Sequence, residues 1–122
     1  PINKKITAED VFNNIPTWVG LNSTSQAITG DGSTSTAIDV ITPVTEVDAT
    51  SNTAPCTIAN GANGQVKTII NVSTSGTNAI TITPANFRGG TTITLNAPGE
   101  TATLIFKNSN WNVIGGYGFV VA

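Results

Sequence analysis

The sequence predicts an all-β fold, an antiparallel β-sandwich or barrel preceded by a short N-terminal arm. Three observations carry that expectation. Short runs rich in Val, Ile and Thr recur along the chain, separated by turn residues at a spacing of roughly 8–12 positions. Within several runs, apolar and polar residues alternate, as in Ile80-Thr81-Ile82-Thr83 and from Ala102 to Phe106. The gaps are filled by Asn, Ser, Pro and Gly, including 12 glycines and 6 prolines. No amphipathic helical period separates the runs, which argues against a parallel α/β sheet.

The elements follow in order. Thr7-Ala8-Glu9-Asp10 offers a capping hydroxyl with two acids in a first turn, so one short helical turn is expected before Asn13-Asn14 and Pro16 end it. Trp18, Val19 and Leu21 continue as an extended stretch. We place the arm at residues 1–21 and the β domain at residues 22–122. The Ser/Thr/Gly-rich segment that opens the domain carries at most a weak strand at Gln26–Thr29, then a turn at Gly30-Asp31-Gly32. Strands are expected at Ala37–Ile41, Val44–Val47 and Cys56–Ile58, with Asn60-Gly61 and Asn63-Gly64 as turns. Val66–Val72, Ala79–Thr83 and Thr92–Leu95 follow, and Asn96-Ala97-Pro98-Gly99 turns the chain into Thr101–Lys107. Asn108-Ser109-Asn110 reads as a hairpin turn into Trp111–Ile114, and Phe119–Val121 closes the chain. The alternation predicts a core of Val66, Ile70, Ile80, Ile82, Ile93, Leu95, Leu104, Phe106 and Val113.

Composition bounds the function. At 122 residues the chain suits one domain with one modest core. Only 10% of residues are charged, so uncharged polar groups must carry solubility. A net charge of −2, with Lys4, Lys5, Lys67, Arg88 and Lys107 as the basic residues, does not match a nucleic-acid backbone. No apolar run reaches the roughly 20 residues of a membrane-spanning helix. The two N-terminal lysines lack a hydrophobic stretch behind them, so no secretory signal is read there. A chain beginning at Pro1 is what remains when an initiator Met is removed before a small residue, and the expectation is a whole gene product. Cys56, the lone cysteine, is expected as a small buried hydrophobe.

Chemistry-bearing patterns are sparse. There is no His, which removes Ser-His-Asp and Cys-His systems and most zinc sites. Of the seven carboxylates, Asp39, Glu46 and Asp48 cluster in sequence, and Glu46 and Asp48 would share one strand face. Such a pair could serve a Ca²⁺ site or a glycosidase, but the expectation is an exposed polar strand face. No Gly-rich phosphate loop is present. The expectation is therefore no enzyme, no catalytic residues, no cofactor and no metal. Phe106 and Trp111, flanking a hairpin, are expected in the core rather than in a ligand cradle. Trp18 is expected either to plug the end of the fold or to anchor a partner.

Over roughly residues 61–118 the chain resembles a module of tailed-phage virion proteins. The carrying residues are Gly64-Gln65-Val66-Lys67, Ile80-Thr81-Ile82-Thr83-Pro84, Gly89-Gly90-Thr91-Thr92-Ile93-Thr94, Gly99-Glu100 and Trp111-Asn112-Val113-Ile114-Gly115-Gly116. The resemblance covers about half the chain and implies a virion-surface protein, trimeric and without catalytic residues. Such modules occur in tail fibres, head fibres and capsid decoration proteins. A chain this short favours a decoration (cement) protein that binds the assembled shell of major capsid protein and stiffens it. The alternative is a receptor- or glycan-binding head module of a fibre. Neither nucleic acid nor membrane is an expected partner. The expected shell-contact residues lie in the arm: Ile2, Lys4, Lys5, Ile6, Val11, Phe12, Ile15 and Trp18.

Overall fold

The computed structural model describes residues 7–8 and 24–122. Apart from Thr7 and Ala8, the helical turn and the arm expected from the sequence lie outside the described residues, as do all eight expected shell-contact residues.

Ten strands form the described domain: β1 (Gln26–Thr29), β2 (Thr36–Ile38), β3 (Val44–Asp48), β4 (Ala54–Ile58), β5 (Val66–Asn71), β6 (Ile80–Pro84), β7 (Ile93–Leu95), β8 (Thr101–Lys107), β9 (Asn110–Tyr117) and β10 (Val120–Val121). They make two five-stranded sheets, ordered β1-β3-β5-β8-β9 and β10-β7-β6-β4-β2. The sheets pack face to face as a sandwich, and neither closes into a barrel.

The all-β expectation is met, but the antiparallel one is corrected. In the first sheet β1, β3 and β5 run parallel, and in the second β2, β4 and β6 do the same. The chain alternates between sheets through β6, so each return to the first sheet passes through one strand of the second. Parallel neighbours need a long crossover, usually helical; here the facing strand is the crossover. Residues 26–84 therefore wind as stacked coils. Only the later strands pair antiparallel: β5 with β8, β8 with β9, β6 with β7 and β7 with β10. The coils differ in length, since Gln26 pairs with Thr45, 19 positions on, whereas Cys56 pairs with Ile82, 26 positions on. That unevenness hides the repeat in the sequence.

Stacking puts like residues in rows between the sheets. On the second sheet Thr36, Cys56, Ile82 and Ile93 form one row, and Ala54, Ile80 and Leu95 another. On the first, Ile28 and Val47 stack, and Ile69 faces Ala102. Apart from the half-buried Thr36, these side chains belong to the core together with Leu104, Phe106 and Trp111. Trp111 is fully buried, its ring meets Phe106 edge-on with centroids 5.2 Å apart, and its indole N–H donates to the Ala59 carbonyl at 2.8 Å. A buried Trp needs such a partner for its N–H. Cys56 is buried as expected, and burial pushes its thiol up to about 11.

Two core expectations fail, both on β5. Val66 is 46% exposed and Ile70 is half-buried, because the inward face of β5 is Lys67, Ile69 and Asn71. The strand offers apolar residues in both phases, so alternation alone picks the wrong one. Register decides it: β5 lies between β3 and β8, and turning it by one residue would carry Ile69 out of the core. The polar residues this buries sit near the ends of the strand, where loops supply partners for the Lys67 ammonium and the Asn71 side-chain oxygen, while the buried Asn71 side-chain nitrogen has none. The remaining seven expected core residues lie inside, with Val113 half-buried against the cluster.

The hairpin between β8 and β9 has the expected turn. Asn108 and Ser109 adopt φ of 51° and 61°, the left-handed pair that matches strand twist in a two-residue connection. Further along, the ladder shifts between Thr103 and Leu104, which makes a bulge and re-aims the end of β9.

Candidate functional site

One end of the sandwich gathers the domain's unusual polar side chains. There β2, β4 and β6 finish and β3 and β5 begin, so the connecting loops stack side by side. The loop at residues 39–43 joins β2 to β3, so the strand expected at Ala37–Ile41 ends at Ile38. Asp39 ends that strand: its carboxylate accepts the N–H groups of Ile41 and Thr42, an Asx turn. Those hydrogen bonds, the Ile41 one first, hold the Asp39 carboxyl below its ordinary range.

Three long side chains from the first sheet clamp this loop. The Gln26 amide donates to the Ala37 carbonyl at 3.0 Å, while its oxygen accepts the Asp39 N–H at 2.8 Å and the Thr45 hydroxyl at 2.9 Å. Gln65 donates to the Val40 carbonyl at 2.9 Å. Lys67 donates from Nζ to the Thr42 carbonyl at 2.7 Å and to the Thr42 hydroxyl at 3.0 Å. The Thr68 N–H closes the loop on the Pro43 carbonyl. Lys67 is fully buried, which disfavours its charged form and lowers its pKa to about 8, although Asp39 nearby acts in the opposite direction.

The clamped loop carries Ile41 at its tip, 87% exposed. Beside it, on the outer face of the second sheet, lies a shallow cavity of about 450 Å³. Ala37, Thr57 and Thr83 line it as one row across β2, β4 and β6, and Ala59 and Ala85 line its end. Its lining carries no charge.

Of the carboxylates singled out from the sequence, Asp39 belongs to the clamped loop, while Glu46 and Asp48 lie on β3. Glu46 and Asp48 do share the outward face of β3, half-buried. The Asp48 carboxylate, however, accepts the hydroxyl and N–H of Thr50, which lower its pKa. Asp31 takes the N–H groups of Ser33 and Thr34, and Glu100 those of Asn96 and Ala97. Four of the five acids among the described residues thus close turns. Among the described residues, no three His, Cys, Asp or Glu side chains come together as metal ligands would. No helix among them is long and apolar enough to cross a membrane. Of the basic residues, Lys67 is spent inside, and Arg88 and Lys107 are exposed. Asn71 sits within a glycosylation pattern, yet it is 1% exposed.

No protein-family model matches the chain. No curated protein sequence matches it either. The site is therefore described by its own geometry.

Sequence reasoning assigns no site role to Gln26, Gln65, Ile41 or the inward-facing Lys67, although Gln65 and Lys67 fall in a segment that carries the virion resemblance. One signal for the loop was present. Asp39 followed two residues later by Ile41-Thr42-Pro43 is a turn with a stop, since Pro43 cannot continue a ladder and Asp39 can cap the N–H groups beyond it.

Proposed function

We propose that this protein is a non-catalytic structural component of a virus particle, one that decorates the outer face of the capsid shell as a homotrimer. The observation that carries this reading is where the domain spends its polar chemistry. Asp31, Asp39, Asp48 and Glu100 hold turns, and Gln26, Gln65 and Lys67 clamp a loop. Such side chains brace a scaffold rather than process a substrate. The resemblance of residues 61–118 to virion modules points the same way, and that stretch runs from the loop before β5 to the end of β9.

In this reading the stacked coils form a stiff block and residues 1–21 attach it. Ile2, Ile6, Val11, Phe12, Ile15 and Trp18 supply apolar anchors, and Lys4 and Lys5 supply charge. A terminal segment that orders on docking loses conformational entropy, so it needs a few anchors that each bury a large area. Phe12 and Trp18 are the largest. The partner is the major capsid protein; no nucleic acid, membrane, metal or cofactor has a role.

Deleting residues 1–18 tests the attachment. The truncated chain should stay folded by circular dichroism and fail to co-sediment with shells stripped of the wild-type protein. Decoration with undiminished affinity would refute the role given to residues 1–21.

A further inference from the structure

The loop at residues 39–43 combines two properties that rarely meet by accident. Its backbone accepts hydrogen bonds from Gln65, Lys67 and Thr68, and its Asp39 N–H donates to the Gln26 side-chain oxygen. Its tip nevertheless shows water an isoleucine, and Ile41 is the most exposed of the large apolar side chains among the described residues. A loop already fixed in one conformation loses little entropy when it binds, so an apolar side chain on it is a ready anchor.

A recess is lined in part by Ala37 and Ile38, on the strand that leads into this loop. The row of small residues Ala37, Thr57 and Thr83, continued by Ala59 and Ala85, leaves a neutral cavity of about 450 Å³ on the second sheet. Ala37 and Ile38 of β2 lead directly into the loop, so knob and recess share one end of the molecule. The loops that continue from the knob and from the recess carry charges of opposite sign. Asp39 lies two residues before the knob, and the exposed Arg88 lies three residues beyond Ala85, on the connection that leaves β6.

We propose that the occupant of this recess is a second copy of the same chain: Ile41 of one copy seats among Ala37, Thr57, Thr83 and Ala85 of the next, with Asp39 facing the neighbour's Arg88. This rests on the self-association in the reading above and assigns its interface. One knob in one shallow recess falls short of the roughly 800 Å² per partner of a standard interface. In a head-to-tail ring each copy gives its knob to one neighbour and its recess to another, so every copy makes the contact twice. A ring also leaves no recess unfilled, which limits growth into open filaments.

The full-length chain tests this by light scattering and chemical cross-linking. The wild type should have the mass of three copies. Ile41→Asp should reduce it to one copy with an unchanged circular dichroism spectrum, because a side chain this exposed contributes little to folding. Ala59→Trp, which fills the recess, should do the same, and Arg88→Asp should weaken association about tenfold or more. Mixing an Ile41→Cys chain with a Thr83→Cys chain should give a disulfide between the two; Cys56 is buried and does not compete. If Ile41→Asp keeps the wild-type mass and the mixed cysteines do not couple, the interface is wrong while the trimer stands. A mass of two copies that Ile41→Asp abolishes supports the interface and overturns the trimer. A wild type that stays monomeric at every concentration overturns both.

Discussion

Replacing Ile82 by Ala probes the packing that the coil stacking predicts. Ile82 is fully buried, with Cys56 beside it on β4 and Ile93 beside it on β7, both also buried. The substitution removes three carbons. At about 0.8 kcal/mol per buried methylene, the transfer contribution alone is about 2.4 kcal/mol. The neighbours are held in register by ladders on both sides and cannot collapse far, so a cavity contribution is added, for a total near 4 kcal/mol within the ~2–5 kcal/mol range for such sites. Val66→Ala is the control. Val66 is 46% exposed on the outer face of β5, and its truncation should cost under about 1 kcal/mol. Urea unfolding followed by Trp fluorescence measures both. With a slope of about 2 kcal/mol per molar for a domain this size, the Ile82 midpoint should fall by roughly 2 M. Equal costs for the two variants, or a cost at Ile82 below about 1 kcal/mol, would refute the assigned faces.

Two further outcomes follow. Lys67 carries a folded pKa of about 8 against an ordinary 10.5, so between those values the unfolded chain holds a proton that the folded chain has released, and stability rises with pH. Cys56, raised from 9.0 to about 11, acts oppositely above pH 9. Stability should therefore grow by about 1 kcal/mol from pH 8 to pH 9 and then level, and Lys67→Met should remove the rise; a flat wild-type profile in urea titrations would contradict the buried-lysine assignment. Gly30→Ala should cost about 1–3 kcal/mol, because a Cβ there would lie 2.6 Å from the Thr53 carbonyl oxygen and 2.9 Å from the Ala54 Cβ. A thermal midpoint within 1–2 °C of wild type would mean that the neighbouring coil is free to move away.

The strands with one apolar phase were legible from sequence. Thr101–Lys107 was placed residue for residue, and Ile80, Ile82, Ile93 and Leu95 were assigned their correct face, because alternation left no second choice. β5 offers apolar residues in both phases, and its true face carries Lys67 and Asn71. Only tertiary partners, Thr42 for the lysine and Ser73 for the asparagine oxygen, make that face affordable. Strand direction was illegible for a related reason. A turn that leads to the neighbouring strand and one that leads to the facing sheet use the same residues, so the turn residues around Asn60-Gly61 and from Ser73 to Asn78 do not reveal that these segments connect the two sheets. The candidate site was hidden because its clamping groups, Gln26 and Gln65, are ordinary residues until the coils bring them beside residues 37–42.

The central proposal is that this chain sits on the outside of an assembled shell. Cryo-electron microscopy of the particle whose genome encodes it tests that directly. The account predicts, on the outer surface, three copies of a ten-stranded sandwich around a local threefold axis, each joined to the major capsid protein through residues 1–21. Absence of the chain from the mature particle, or its placement at the tip of a tail fibre away from the shell, would contradict it.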